Sequence, residues 1–117
     1  MYLKSHKELI VWQKSILLAK AIFKLTERLP KSEIFGLTSQ MRRAAVSIAS
    51  NIAEGYGRKS HGEFQQFLGI AYGSALELET QLTICTETGL LKENESVEAN
   101  SLLQEVLKML NSMTSRR

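Results

Sequence analysis

Apolar residues recur along most of this chain at helical spacing, and no strand-like alternation or low-complexity tract interrupts them. At ~100° per residue, Val11, Leu18, Ile22, Leu25 and Leu29 fall on one stripe, and Leu9, Trp12, Ile16, Ala19 and Phe23 fall on an adjacent one. The pattern predicts a first helix over about 7–29, whose two stripes together cover ~200° of its circumference. A peripheral helix in a monomeric bundle needs a narrower stripe, so this width points to a second partner surface. The only proline, Pro30, sits where the pattern stops.

A second helix follows the short 30–37 connection, with Ser32 or Thr38 as its cap and Met41, Ala45, Ile48 and Ile52 as its core line. It is expected to end near Gly55, a residue that can take the left-handed conformation cheaply. On its other side lie Arg43, Ser47, Ser50 and Glu54, flanked by Ala44, Ala49 and Ala53, small enough for another backbone to approach. Ser60 and Glu63 have capping-box spacing and open a third helix that runs to about Thr88, before Gly89. Its core stripe is Phe64, Phe67, Leu68, Ala71, Ala75, Leu78, Leu82 and Cys85. Gly69, Gly73 and Thr80 share another face. Glycine costs up to ~1 kcal/mol inside a helix, so close packing is expected at Gly69 and Gly73 to repay it. A fourth helix after Asn94 or Ser96 buries Ala99, Leu102, Leu103, Val106, Leu107, Leu110 and Met113. Short connections favour antiparallel neighbours, so the chain reads as a single all-α domain over 1–117, an antiparallel up-down-up-down four-helix bundle.

At 117 residues, with 44% hydrophobic and 23% charged residues, the composition is that of one soluble globular domain. Lys14, Lys20 and Lys24 break up the longest apolar run, and no signal-peptide stretch is visible, so no membrane association and a cytoplasmic location are expected. The net charge of +3 conceals an asymmetry: residues 1–59 carry 11 Lys and Arg against 4 Glu, whereas residues 60–117 carry 4 against 8. The basic half either presents a phosphate-attracting face or is compensated by the acidic half on folding.

Several segments resemble a known family. Leu9-Ile10-Val11-Trp12-Gln13, the stretch from Phe35 to Ala45, the stretch from Ser47 to Arg58, and the stretch from Phe67 to Glu79 are similar to the bacterial rRNA-intervening-sequence proteins, in order and at the family's spacing. Helix four matches only in pattern. The resemblance implies a four-helix bundle assembling into a ring-like homopentamer, and it suggests association with RNA without implying an activity. The related accessory variability determinants of diversity-generating retroelements share fold and assembly and bind nucleic acid and a reverse transcriptase. Where related sequences often carry proline in helix two, this chain has Ala49, which leaves a proline-dependent kink without its residue.

Phosphate recognition needs cations that reach outward, and arginine can donate two hydrogen bonds to one phosphate. The candidates are Arg42, Arg43, Arg58 and Lys59, with Lys14, Lys20, Lys24 and Arg28 along the charged side of helix one. Against this, Arg42 or Arg43 could pair with Glu54, Glu77 or Glu79, within or between subunits; Arg58 and Lys59, at a hairpin tip, are the best exposed pair. No catalytic, cofactor or metal constellation stands out. Glu77 and Glu79 point to different faces, neither His6 nor His61 has a glutamate three residues before it, and Asp is absent. Cys85 lies on an apolar stripe and reads as a structural thiol. The expectation is a non-enzymatic homo-oligomer that binds RNA or DNA through a basic surface; the alternative is a scaffold that docks a protein partner without touching nucleic acid itself.

Overall fold

Ile10–Thr26 forms the first long helix, α1, and turns its Val11, Leu18, Ile22 and Leu25 stripe into the core, with Leu18 and Ile22 fully buried. The computed structural model describes residues 4–114. Three further helices follow: α2 (Ser39–Tyr56), α3 (His61–Glu87) and α4 (Val97–Met113). Each packs against its sequence neighbours, and α1 also packs against α4, so the four close into a cylinder about 45 Å long. Neighbouring helices run in opposite senses. Met41 meets Cys85 while Ser47 meets Ser74, and Lys14 meets Glu105 while Arg28 meets Glu95, which makes α2–α3 and α1–α4 antiparallel pairs.

The predicted core lines of α2, α3 and α4 are buried almost residue for residue; Phe64, Phe67, Leu102 and Met113 are only half-buried. The wide apolar surface of α1 is distributed differently from the expectation. Leu9, Trp12, Ile16 and Ala19 are half-buried, and only Phe23 of that stripe is exposed; the other bare apolar positions on α1 are Ile10 and Leu17.

Gly55 does not terminate α2 in a left-handed conformation. It is buried inside the helix, and among the described residues only Gly89 has a positive φ, at 81°. The reason for glycine at 55 is steric, since a Cβ there would lie 2.7 Å from the Phe67 Cβ and 3.3 Å from the Phe64 carbonyl oxygen. The close-packing expectation for Gly69 and Gly73 fails within the chain. Both lie on the outer face of α3, where a Cβ would meet nothing within 4 Å.

The α1–α2 connection also departs from the expected capping. Residues Ile34–Thr38 form a wide turn running straight into α2, and neither Ser32 nor Thr38 caps it; the Glu33 carboxylate accepts the Leu37 N–H at 3.2 Å instead. Ser60 does cap α3, its hydroxyl accepting the Glu63 N–H at 3.1 Å.

Adding a methyl at a filled position and at an open one should have opposite effects. Gly55→Ala is expected to destabilise the bundle by about 1–3 kcal/mol, and Gly73→Ala to stabilise it by up to ~1 kcal/mol, both measured by urea denaturation. Cys85 is fully buried, and burial, with a smaller push from Glu33, raises its thiol pKa above the ordinary value. Ionisation therefore favours the unfolded chain: the thiol's contribution is whole below the unfolded pKa and is lost as pH rises through the folded one. A thiol reagent at pH 8 should leave native Cys85 unmodified and label it in denaturant.

Candidate nucleic-acid interface

The eight candidate cations are separated along the bundle. Arg58 and Lys59 occupy the α2–α3 turn, at the same end as the start of α1. Arg42 and Arg43, in the first turns of α2, stand at the opposite end with Arg28 and Lys24, toward the end of α1. Lys14 and Lys20 lie between them on α1.

Three of the eight are ion-paired. Lys14 Nζ meets Glu105 at 2.8 Å, Arg28 meets Glu95 at 3.1 Å, and Arg58 meets Glu54 one turn away at 2.7 Å while lying over the Phe67 ring. The first two pairs link the basic half of the chain to the acidic half, so compensation on folding accounts for part of the asymmetry. The Glu95 pKa is lowered chiefly by the hydrogen bond from the Lys92 backbone N–H, against an opposing desolvation, with a lesser contribution from the Arg28 charge.

Within one chain, and among the described residues, the pairing of Arg42 or Arg43 with Glu54, Glu77 or Glu79 does not form. Glu54 is taken by Arg58, Glu79 accepts from Gln104 at 2.8 Å, and Glu77 lies 3.4 Å from the Gln81 amide. Arg42 instead reaches back to α1. Its Nε–H donates to Thr26 Oγ1 at 2.8 Å, an Nη2–H donates to the Phe23 carbonyl at 3.1 Å, and the guanidinium lies 4.8 Å from the Phe23 ring centroid. Thr26, itself buried, donates its own proton to the Ile22 carbonyl at 2.7 Å. Arg42 thus ties α2 to α1 and still keeps its charge free of any carboxylate. Lys20, Lys24, Arg43 and Lys59 are exposed and, among the described residues, make no ion pair or hydrogen bond.

Lys31, absent from the sequence candidates, joins Arg42 and Arg43 in lining a cleft of about 600 Å³ between the end of α1 and the start of α2. Only its place directly after Pro30, in a connection that folds back over α2, could have signalled it. Two aromatic rings that could stack on a base are partly covered: Trp12 meets His6 edge-on at 5.0 Å, and Tyr56 meets Phe64 edge-on at 6.4 Å. Among the described residues no cluster of His, Cys or carboxylates could hold a metal ion, and no helix is long and apolar enough to cross a membrane.

The model of the 23S rRNA-intervening sequence protein family matches residues 7–112. The chain belongs to this family. Among solved structures, it is similar to a protein of unknown function from the S23 ribosomal protein family of Bacteroides thetaiotaomicron VPI-5482, at 26% identity and a TM-score of 0.81, covering 92% of this chain and 100% of that one. A comparison with curated proteins gives no match. The sequence segments that carry the family resemblance map chiefly to the α2–α3 pair and the turn between them. Those segments supply the small residues where the two helices meet, together with the candidate cations Arg42, Arg43 and Arg58; Lys59 follows directly after.

Since Arg42 has structural partners and Arg43 has none, truncation should separate them. Arg42→Ala is expected to cost about 1–2 kcal/mol by releasing its hydrogen bonds to α1, and Arg43→Ala less than ~0.5 kcal/mol, as read from chemical denaturation midpoints.

Proposed function

We propose that this family member is a non-enzymatic, self-associating helical bundle that binds RNA or another nucleic acid through surface cations. The observation that carries the reading is that Lys20, Lys24, Arg43 and Lys59 are exposed and have no carboxylate partner among the described residues. A cation already paired within the protein must break that pair to meet a phosphate; an unpaired one releases counterions from the nucleic acid directly. Self-association into a ring would repeat this set around the symmetry axis and raise a modest net charge to a useful one.

Among the described residues, ten large apolar side chains at least 40% exposed support self-association, with Phe35 the extreme at 96%. The same surface favours the second reading, an accessory scaffold that docks a protein partner. Cytoplasmic residence fits either role.

Binding of a ribosomal RNA fragment should weaken linearly on a plot of log affinity against log salt. Lys20→Glu with Lys24→Glu should flatten that slope by ~0.7–0.9 for each phosphate left without its cation. Arg58→Glu should have less effect, because Glu54 already offsets its charge. Absence of RNA binding even at low salt would favour the scaffold, and a 13.2 kDa species in light scattering would contradict self-association.

A further inference from the structure

The cleft at the α1–α2 end has the donors of a phosphate site and the floor of a base site. Thr38 and Ser39 precede Arg42 and Arg43 by four residues each, so on α2 each hydroxyl sits one turn from a guanidinium on the same stripe. All four residues line the cleft. Thr38 as a residue is only 8% exposed, its hydroxyl makes no hydrogen bond among the described residues, and it does not cap the helix it precedes. Among the described residues this hydroxyl is not one of the fully buried, unpartnered polar atoms, so it reaches solvent in the cleft, where a ligand oxygen can meet it.

The charge balance points to an anion. Lys31, Arg42 and Arg43 line the cleft against one carboxylate, Glu27, a formal balance of +2. Arg42 is fixed by its bonds to Thr26 and Phe23, which occupy two of the five guanidinium N–H donors and leave the rest for a ligand. A guanidinium held in this way meets an anion with little loss of freedom.

The remaining wall is apolar, made by Phe23, Leu29 and Ile34. Inorganic phosphate would leave it wet. A phosphate ester with a flat, weakly polar body would cover it, and the Arg42–Phe23 stack is a surface on which such a ring can lie. The volume of about 600 Å³ falls within the range of small-molecule sites.

We propose that this cleft binds a single nucleotide, its phosphate held by Lys31, Arg43, the Thr38 hydroxyl and the free N–H groups of Arg42, and its base against the apolar wall. The nucleotide is either free or an unpaired residue of an RNA strand. The strand form rests on the nucleic-acid reading above; the free form does not.

Calorimetry with 5′-AMP, adenosine and inorganic phosphate, and fluorescence anisotropy with a labelled oligoadenylate, test this on the full chain. The expected result is that 5′-AMP binds at least about tenfold more tightly than adenosine or phosphate. Lys31→Glu with Arg43→Glu should abolish that binding, while Lys108→Glu, at an exposed position of α4, leaves it intact. Thr38→Val keeps the side-chain shape and should weaken 5′-AMP about threefold or more; it carries the test if the double charge reversal fails to fold. Oligoadenylate that is displaced by 5′-AMP and held more weakly by Thr38→Val, to the same degree as 5′-AMP, identifies the strand as the source. 5′-AMP binding without oligoadenylate binding identifies the free nucleotide, and the nucleic-acid reading then falls alone. Oligoadenylate that binds the cleft variants as well as the parent overturns the cleft and leaves the nucleic-acid reading standing. No 5′-AMP binding at millimolar concentration, or phosphate binding as tight as 5′-AMP, also overturns the proposal.

Discussion

The close approach of α2 to α3 is the constraint on which the rest of the bundle depends. Ala44, Ala45 and Ala49 on α2, with Ala71 and Ala75 on α3, are all buried, and Gly55 lets the α3 aromatics Phe64 and Phe67 come against the α2 backbone. Small side chains bury little area each, so the pair gains from the nearness of two backbones and the many weak attractions that nearness allows. A polar clasp fixes the register: the Asn51 amide donates to the Ser47 carbonyl at 2.8 Å and to its hydroxyl at 3.0 Å, and that hydroxyl meets Ser74 at 2.9 Å. With this hairpin set, α1 and α4 lay their broader Leu, Ile and Val stripes over it and close the cylinder.

Charge distribution follows from that closure. Because α1 comes to rest beside α4, two of its cations fall opposite glutamates from the other half of the chain, Lys14 with Glu105 and Arg28 with Glu95. Both pairs are at least partly exposed, so each adds little to stability, but together they decide which cations are left over. The unpaired remainder is set by helix order and register as well as by composition. Arg42 illustrates the same logic from the other direction, since its partners are a threonine and a carbonyl and its positive charge survives packing against α1.

Much of this fold was legible in the sequence because helical periodicity reports burial directly. The lines Met41-Ala45-Ile48-Ile52 and Leu68-Ala71-Ala75-Leu78 are buried as their spacing requires. What periodicity does not report is which neighbour a face meets. Gly55 and Gly73 look alike in sequence, yet one is pressed against α3 and the other faces solvent. The cations were equally ambiguous, since pairing depends on long-range register: Arg42 found α1 in place of a glutamate. Thr38 and Lys31 were invisible as a pair because the wide turn that brings them to one cleft has no sequence period, and Gly36 sits in it at φ −110° and ψ −114°, outside helical geometry.

The antiparallel arrangement brings Leu9, Ile10 and Val11 beside Met109, Ser112 and Met113, where they line a shared hollow. The outer ends of α1 and α4 therefore emerge side by side, next to the α2–α3 turn and a full bundle length from Arg42 and Arg43. A fluorophore, affinity handle or fused domain joined beyond either helix would project from that pole and leave the opposite pole sterically clear.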